Sequence, residues 1–305
     1  MNFITLFPHL FLPKVAFIGA IVDKINKWLS DLFSDGIVAN LKSMNAAVNE
    51  KLSWAGGVIG SDVSSINGSI FSYMERVHET VILPICSLII TAVLCIELIS
   101  AVIDKNNMNT DSYDIWKWIF KSFCQITIAA NAFKIVMAIM DVGNYLVRKV
   151  SGVVDTNASI PQDQVMENIK QGLMESNAAV LFIGFLVSFI FLILGIIIAA
   201  LVMVIVYGRF IEIIVMSSVA AMPLSTILSK GASFNIGVNY TKKMAALALQ
   251  GFLMMFILGC YNVLVRGVQY GGGAFEILAT IGGLNILLIL MLKKSDQIAS
   301  SIVGA

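Results

Sequence analysis

An all-α, polytopic membrane fold, with about five spanning helices and an amphipathic helix ahead of them, is predicted by three observations. The stretch Ala178–Gly208 runs 31 residues without one charged side chain. As a helix it would be about 46 Å long at 1.5 Å per residue, against a hydrocarbon core of about 30 Å. Hydrophobic residues make up 58% and charged residues 13% of the chain, where soluble domains average roughly 45–50% and about 25%. Four further apolar stretches, near 80–103, 119–140, 245–265 and 275–292, flank the first.

Residues 1–79 read as a separate, extracytoplasmic or interfacial region. After Pro13, the apolar positions Val15, Ile18, Val22, Ile25, Leu29, Leu32 and Phe33 step by three and four, with Lys24, Lys27, Asp23 and Asp31 between them. That spacing predicts an amphipathic helix, with Trp28 in it, suited to the headgroup plane. A weaker amphipathic stretch follows around Ile37–Leu52. The N-terminus lacks the basic and small-residue features of a cleaved signal peptide and is expected to be retained.

The membrane domain covers 80–292. Its first span starts near Thr80, with Pro84 tolerated in the first turn; its line Ser87, Thr91, Cys95 places a small residue at every fourth position for close helix approach. The second span is polar for its setting, with Gln125, Asn131 and Lys134. The third is the long charge-free helix, which continues past Arg209 and Glu212 and is broken by Pro223. The fourth and fifth carry Gln250 and Asn285, which are expected to face the bundle, where they find partners. An outer loop at 147–177 holds its own helix signal, Ser159–Gln162 followed by Val165, Ile169 and Leu173. An inner loop spans 222–243, and 293–305 forms a cytoplasmic tail.

Five spans divide the basic residues unequally. One side carries Lys105, Lys117, Lys121, Arg209, Lys230, Lys242, Lys243, Lys293 and Lys294, and the other Arg76, Arg148, Lys149, Lys170 and Arg266. Positive residues gather on the cytoplasmic side, so the N-terminus is expected outside and the C-terminus inside. The basic inner loops suit anionic lipid headgroups or a cytosolic partner.

Enzymatic constellations are missing. The chain has no HExxH, GxSxG, Walker A or Cys-x-x-Cys motif, and Gly271–Gly273 reads as a turn rather than a phosphate cradle. The four cysteines fall in apolar stretches and the two histidines share no motif, so no catalytic, cofactor or metal site is expected; bound phospholipid is the expected non-protein component. Net charge is +1, which gives no case for nucleic-acid binding by overall charge. Charges inside spans are the sharper signal, because one at mid-bilayer costs about 2.5 kcal/mol or more. Glu97 and Lys134 stand at different depths, which argues against a mutual pair. Glu97 is read as protonated or bonded to a neighbouring helix, and Lys134 as extending outward along its stem; the alternative reading makes both part of a water-lined or substrate-contacting path. Arg209 and Glu212, three residues apart, are read as a salt bridge at the inner interface.

Several runs resemble a known family. His78–Ile85, Leu94–Ile99, Asp104–Met108 and Trp116–Lys121 are similar to TrbL-like polytopic membrane subunits of conjugative type IV secretion systems, of the kind found on Gram-positive integrative elements. The likeness continues through Tyr207–Glu212, the Ala-Met-Pro-Leu turn at 221–224 and Tyr240–Gln250, covering about residues 75–270. It implies a non-enzymatic part of the channel that passes DNA, as cargo, with its relaxase across the cytoplasmic membrane. It also implies a homo-oligomer, a ring of five by family likeness, alongside the secretion ATPase and a cell-wall-facing subunit. The competing class is a small-molecule or ion transporter or channel, disfavoured by the absence of repeat halves and of paired broken helices at mid-membrane.

Overall fold

The computed structural model describes residues 7–104, 112–153, 170, 173, 178–229, 232–267 and 274–305. Among them every regular element is helical. The expected signals at Ser159–Gln162, Val165 and Ile169, the Gly271–Gly273 run, Lys105 and Lys230 lie outside the described residues.

The two amphipathic stretches expected in the first 60 residues form a single helix, α1 (Phe7–Ile59). Its first half leaves Ile21, Val22, Ile25, Trp28 and Leu32 exposed on one face. Its second half buries Ile37, Leu41, Met44, Val48, Leu52, Ala55 and Ile59, a run at steps of three and four. A one-turn helix α2 (Val63–Ile66) follows, and then α3 (Gly68–Val77). Asn67 caps α3, its side chain accepting from the amides of Ser69 and Ile70 at 3.1 and 3.2 Å; these are two of the orphan donors any helix start presents.

The first spanning helix thus starts earlier than expected. Chain from Gly68 to Ser100 is continuous and apolar enough to cross a bilayer, and Pro84 sits deep inside it. A proline there removes one backbone donor and crowds the carbonyl four residues back. The chain accommodates it with a π-helical turn, His78–Ile82, in which the Leu83 amide reaches the His78 carbonyl five residues back. Helix α4 (Leu83–Asp104) continues the span.

The second expected span is broken. Helices α5 (Ser112–Ala130) and α6 (Ala132–Ser151) meet at Asn131 with a 64° bend. The Asn131 side chain donates to the Thr127 carbonyl at 2.9 Å, the local competition with the ladder that makes Asn a poor helix-interior residue. The long apolar helix, α7 (Ala178–Ser218), is as expected. A single turn, α8 (Ala221–Leu224), carries Pro223, and the chain then forms α9 (Ala232–Gly267) and α10 (Ala274–Val303). Among the described residues three helical runs are long and apolar enough to cross a membrane, or four if the bent pair is one span. Helix α10 contains the expected fifth span and the tail in one piece, and it is not among those runs.

The chain divides into two compact units. The first comprises Met1–Leu52, Asn157–Leu201 and Tyr261–Leu287. In it α1 runs parallel to α7, because contacts ascend together along both helices. Phe33 packs on Phe182, their ring centroids 5.4 Å apart; Asn40 donates to Ser188 at 3.0 Å; and Met44 lies over Gly195. Small residues allow the approach, since a Cβ at Gly36 would strike the Phe185 ring and one at Gly195 the Met44 side chain.

The second unit comprises Ser53–Thr156, Val202–Cys260 and Leu288–Ala305. Its core gathers Cys86, Ile90, Ala132, Val136, Met140, Ala221, Leu224, Met244 and Leu247. Helices α6 and α9 touch backbone to backbone: a Cβ at Gly143 would sit 2.7 Å from the Ala248 carbonyl oxygen and 2.9 Å from its Cα. Backbone cannot swing aside as a side chain can. Gly143→Ala is therefore expected to destabilise by about 1–3 kcal/mol, the usual cost of overpacking. Gly208 meets nothing within 4 Å, so Gly208→Ala should be neutral or favourable by up to about 1 kcal/mol, the Gly-to-Ala difference in helix propensity. Denaturation midpoints of the two variants in one detergent check the ordering; equal midpoints would contradict the close crossing.

Candidate functional site

Polar side chains inside the membrane-length helices form the candidate site, and four clusters in the second unit account for most of them. The break after α7 is the first. Ending a helix at Ser218 frees carbonyls in a stretch where Ser217, Ala220 and Ala221 are fully buried, out of reach of water. Side chains from neighbouring helices take them up. His78 donates through Nδ1 to the Ser218 carbonyl at 2.9 Å, Cys86 donates to Ala221 at 3.2 Å, and the Tyr240 hydroxyl donates to Met216 at 2.8 Å. Gln125 donates to the Ser225 carbonyl and lies 3.4 Å from the Ser229 hydroxyl. Gly237 lets α9 approach the Pro223 carbonyl, where a Cβ would stand 2.8 Å away.

Arg209 is the second cluster, and it corrects the expectation of a pair with Glu212. The guanidinium is buried, at 8% exposure, and among the described residues no ion pair includes it. Its Nε and Nη2 donate to the Leu247 carbonyl at 3.3 Å, and Nη1 donates to the Ile59 carbonyl at 3.4 Å. Ile59 is the last residue of α1, so the arginine caps a helix C-terminus, where a cation is favoured by the aligned peptide dipoles. Gly251, one turn beyond Leu247 on α9, makes room for it: a Cβ there would meet the guanidinium. A cavity beside it is lined by Ser61, Asn144, Met140, Phe210 and others. Asn144 reaches Asp62 at 3.0 Å, and Arg148 bridges the same carboxylate at 3.2 Å.

The third cluster pairs Glu97 with a residue assigned from sequence to the lipid-facing inner loops. Lys121 donates to both Glu97 oxygens, at 2.8 and 2.7 Å, with the two side chains 22% and 13% exposed. Glu97 lies seven residues before the end of α4 and Lys121 nine residues into α5, so the two stand at similar distances from the connection between those helices. Weighing Glu97 against Lys134 alone missed this pair, because the expected second span starts near 119, whereas α5 begins at Ser112. Lys134 is exposed.

Glu212 belongs to the fourth cluster. Lys243 bridges both Glu212 and Asp296 at 3.2 Å, tying α7, α9 and α10 together. All three are about a third or more exposed, where each pair is worth about 0–1 kcal/mol. Lys242 donates to the Gly304 carbonyl at 3.0 Å, so the expected tail packs against α9 as helix. Lys117, Lys293 and Lys294 are exposed. Gln250 and Asn285 are buried, at 6% and 1%; Asn285 accepts from Tyr261 at 2.7 Å within the first unit.

The Glu97–Lys121 pair combines opposite charges with substantial burial. Glu97→Gln keeps an acceptor for Lys121 and should cost little, whereas Glu97→Leu strands a half-buried ammonium and should cost about 1–3 kcal/mol after discounting for its partial exposure. Adding Lys121→Met to Glu97→Leu should recover part of the loss. A double-mutant cycle with no coupling would show that the pair does not act as a unit.

Among the described residues no group of His, Cys, Asp and Glu is placed to hold a metal ion. The arrangement is one of helix-to-helix ties and capped helix ends.

The model of the family described as TrbL/VirB6 plasmid conjugal transfer like protein matches residues 48–221, more than half of the 305-residue chain. A search of curated proteins finds no match. The matched segment takes in the Glu97–Lys121 pair, Arg209, Glu212, His78 and the break up to Ala221.

Proposed function

Because the chain belongs to the TrbL/VirB6 plasmid conjugal transfer like family, a family of structural subunits of conjugal transfer systems, we propose that it forms the membrane channel through which a conjugative type IV secretion system passes DNA and relaxase. It is a membrane component of conjugal transfer that works with other subunits of that machinery. The observation that carries the finer reading is the combination of the family match with α7, whose 41 residues exceed the roughly 20 a bilayer crossing needs. The surplus leaves helix for contacts outside the hydrocarbon.

In this reading the protein closes into a homo-oligomer, a ring of five, in the bacterial cytoplasmic membrane. Closed rotational symmetry is the usual outcome of self-association. The N-terminus is outside and the C-terminus cytoplasmic; the secretion ATPase docks from the cytoplasm, a cell-wall-facing subunit from outside, and bound phospholipid fills the remaining apolar surface. The chain performs no catalysis of its own.

Native mass spectrometry from lipid nanodiscs should give a single closed oligomer, and a clean monomer at micromolar concentration would contradict the channel. Orientation is checked separately, with single cysteines in a background free of the native four. Asp163→Cys should react with an impermeant thiol reagent on whole cells, and Ser233→Cys only after lysis. Labelling of the Ser233 position in intact cells would reverse the orientation.

A further inference from the structure

The second half of α1 presents a polar face at a depth where lipid would not tolerate it. Its exposed positions are Asp35, Ala39, Lys42, Ser43, Ala46 and Glu50, one stripe at steps of three and four. The exposed face of the partner helix α7 over the matching length is wholly apolar, with Phe182, Leu186, Phe189, Ile193, Ile196 and Ile197. Two helices of one unit thus offer surfaces of opposite character.

The depth follows from the pairing. Any stretch of about 20 residues chosen as the bilayer crossing within 178–208 must contain residues 189–197. Asn40 bonds Ser188 and Met44 covers Gly195, so residues 40–47 of α1 run beside that obligatory segment. Lys42, Ser43 and Ala46 are the exposed residues of this stretch. A lysine, a serine and the flanking carboxylates of Asp35 and Glu50 cannot face hydrocarbon at that level without large cost. They can face water.

We infer that the Lys42–Ser43–Ala46 face of α1 lines the water-filled path of the assembled channel, with the apolar face of α7 turned toward lipid. The inference rests on the channel reading above and assigns its wall. Charges of both signs stand along the stripe, with Asp35 bridged by Lys170 at 2.9 Å and Glu50 by Lys51 at 2.7 Å, so the hydrated surface carries no positive field that would hold a polyanion fast.

Cysteine accessibility tests it in the full chain. Ser43→Cys and Ala46→Cys, and as controls Ile193→Cys and Ile196→Cys, are made singly in a background with the four native cysteines replaced by alanine, and each is required to complement a deletion strain. Membrane vesicles are treated with a permanently charged methanethiosulfonate reagent. The two α1 positions should react at least about tenfold faster than the two α7 positions, because a charged reagent is excluded from hydrocarbon. Modification at Ser43 or Ala46 should lower transfer at least about tenfold, and modification at Ile193 should not. If the α1 thiols are as unreactive as the α7 thiols while transfer is intact, the face is dry and the inference fails, with the channel reading untouched. If instead the deletion strain transfers normally, the channel reading fails, and the inference falls with it whatever the thiols show.

Discussion

Replacing Arg209 by alanine should destabilise the protein by about 2–4 kcal/mol, the largest loss expected from a single side chain. Two contributions add. Hydrogen bonds from a charged donor are worth about 1.5–3 kcal/mol, and a cation at a helix C-terminus adds up to about 2 kcal/mol when partly buried. Arg209 makes both interactions at once, to the Leu247 and Ile59 carbonyls, and its removal leaves the α1 end uncapped inside an apolar core. Arg209→Lys should recover only part of the loss, because an ammonium cannot fork between two carbonyls. Arg209→Met restores bulk but no donor and should resemble alanine. Unfolding titrations in a single detergent, with protein levels in the membrane as a second readout, check the order. An alanine variant as stable as the parent would show that the guanidinium is not structural.

How much of this was legible beforehand differs by element. Helix α7 was plain, since 31 charge-free residues leave water no place beside them. The break at Pro223 was also visible, because proline ends a ladder by chemistry alone. Neighbours of the break were not. His78, Cys86, Gln125 and Tyr240 come from distant parts of the chain, and a hydrogen bond to a freed carbonyl leaves no spacing signature. The parallel packing of α1 on α7 was hidden for a related reason. The polar composition of residues 34–59 suggested chain outside the membrane, while the contacts that seat it are made by Gly36 and Gly195, whose signal is the absence of a side chain. Arg209 and Glu212 show the limit of local pairing rules. Their spacing of three favours a salt bridge on an isolated helix, yet Lys243 satisfies Glu212 and backbone carbonyls satisfy Arg209, because tertiary partners offered more hydrogen bonds than a neighbour on the same helix. Asn131 was noted as a polar residue within a span; its bond to the Thr127 carbonyl shows why that span bends by 64°.

Loss of the protein should abolish conjugal transfer outright. If the chain forms the wall of the channel, no subunit that hydrolyses nucleotide or cuts the cell wall can replace it, so the defect should be complete rather than graded, and it should not be relieved by supplying more ATPase. Glu97→Gln and Gly208→Ala should restore transfer when supplied to the deletion strain, since both preserve packing. Arg209→Ala should restore it only in proportion to the protein that accumulates.

The frequency of transfer from an in-frame deletion strain, with and without the gene supplied in trans, tests the central claim most directly. The account predicts no detectable transconjugants without the gene, and recovery to the parental frequency with it. Transfer at the parental frequency from the deletion strain would contradict it.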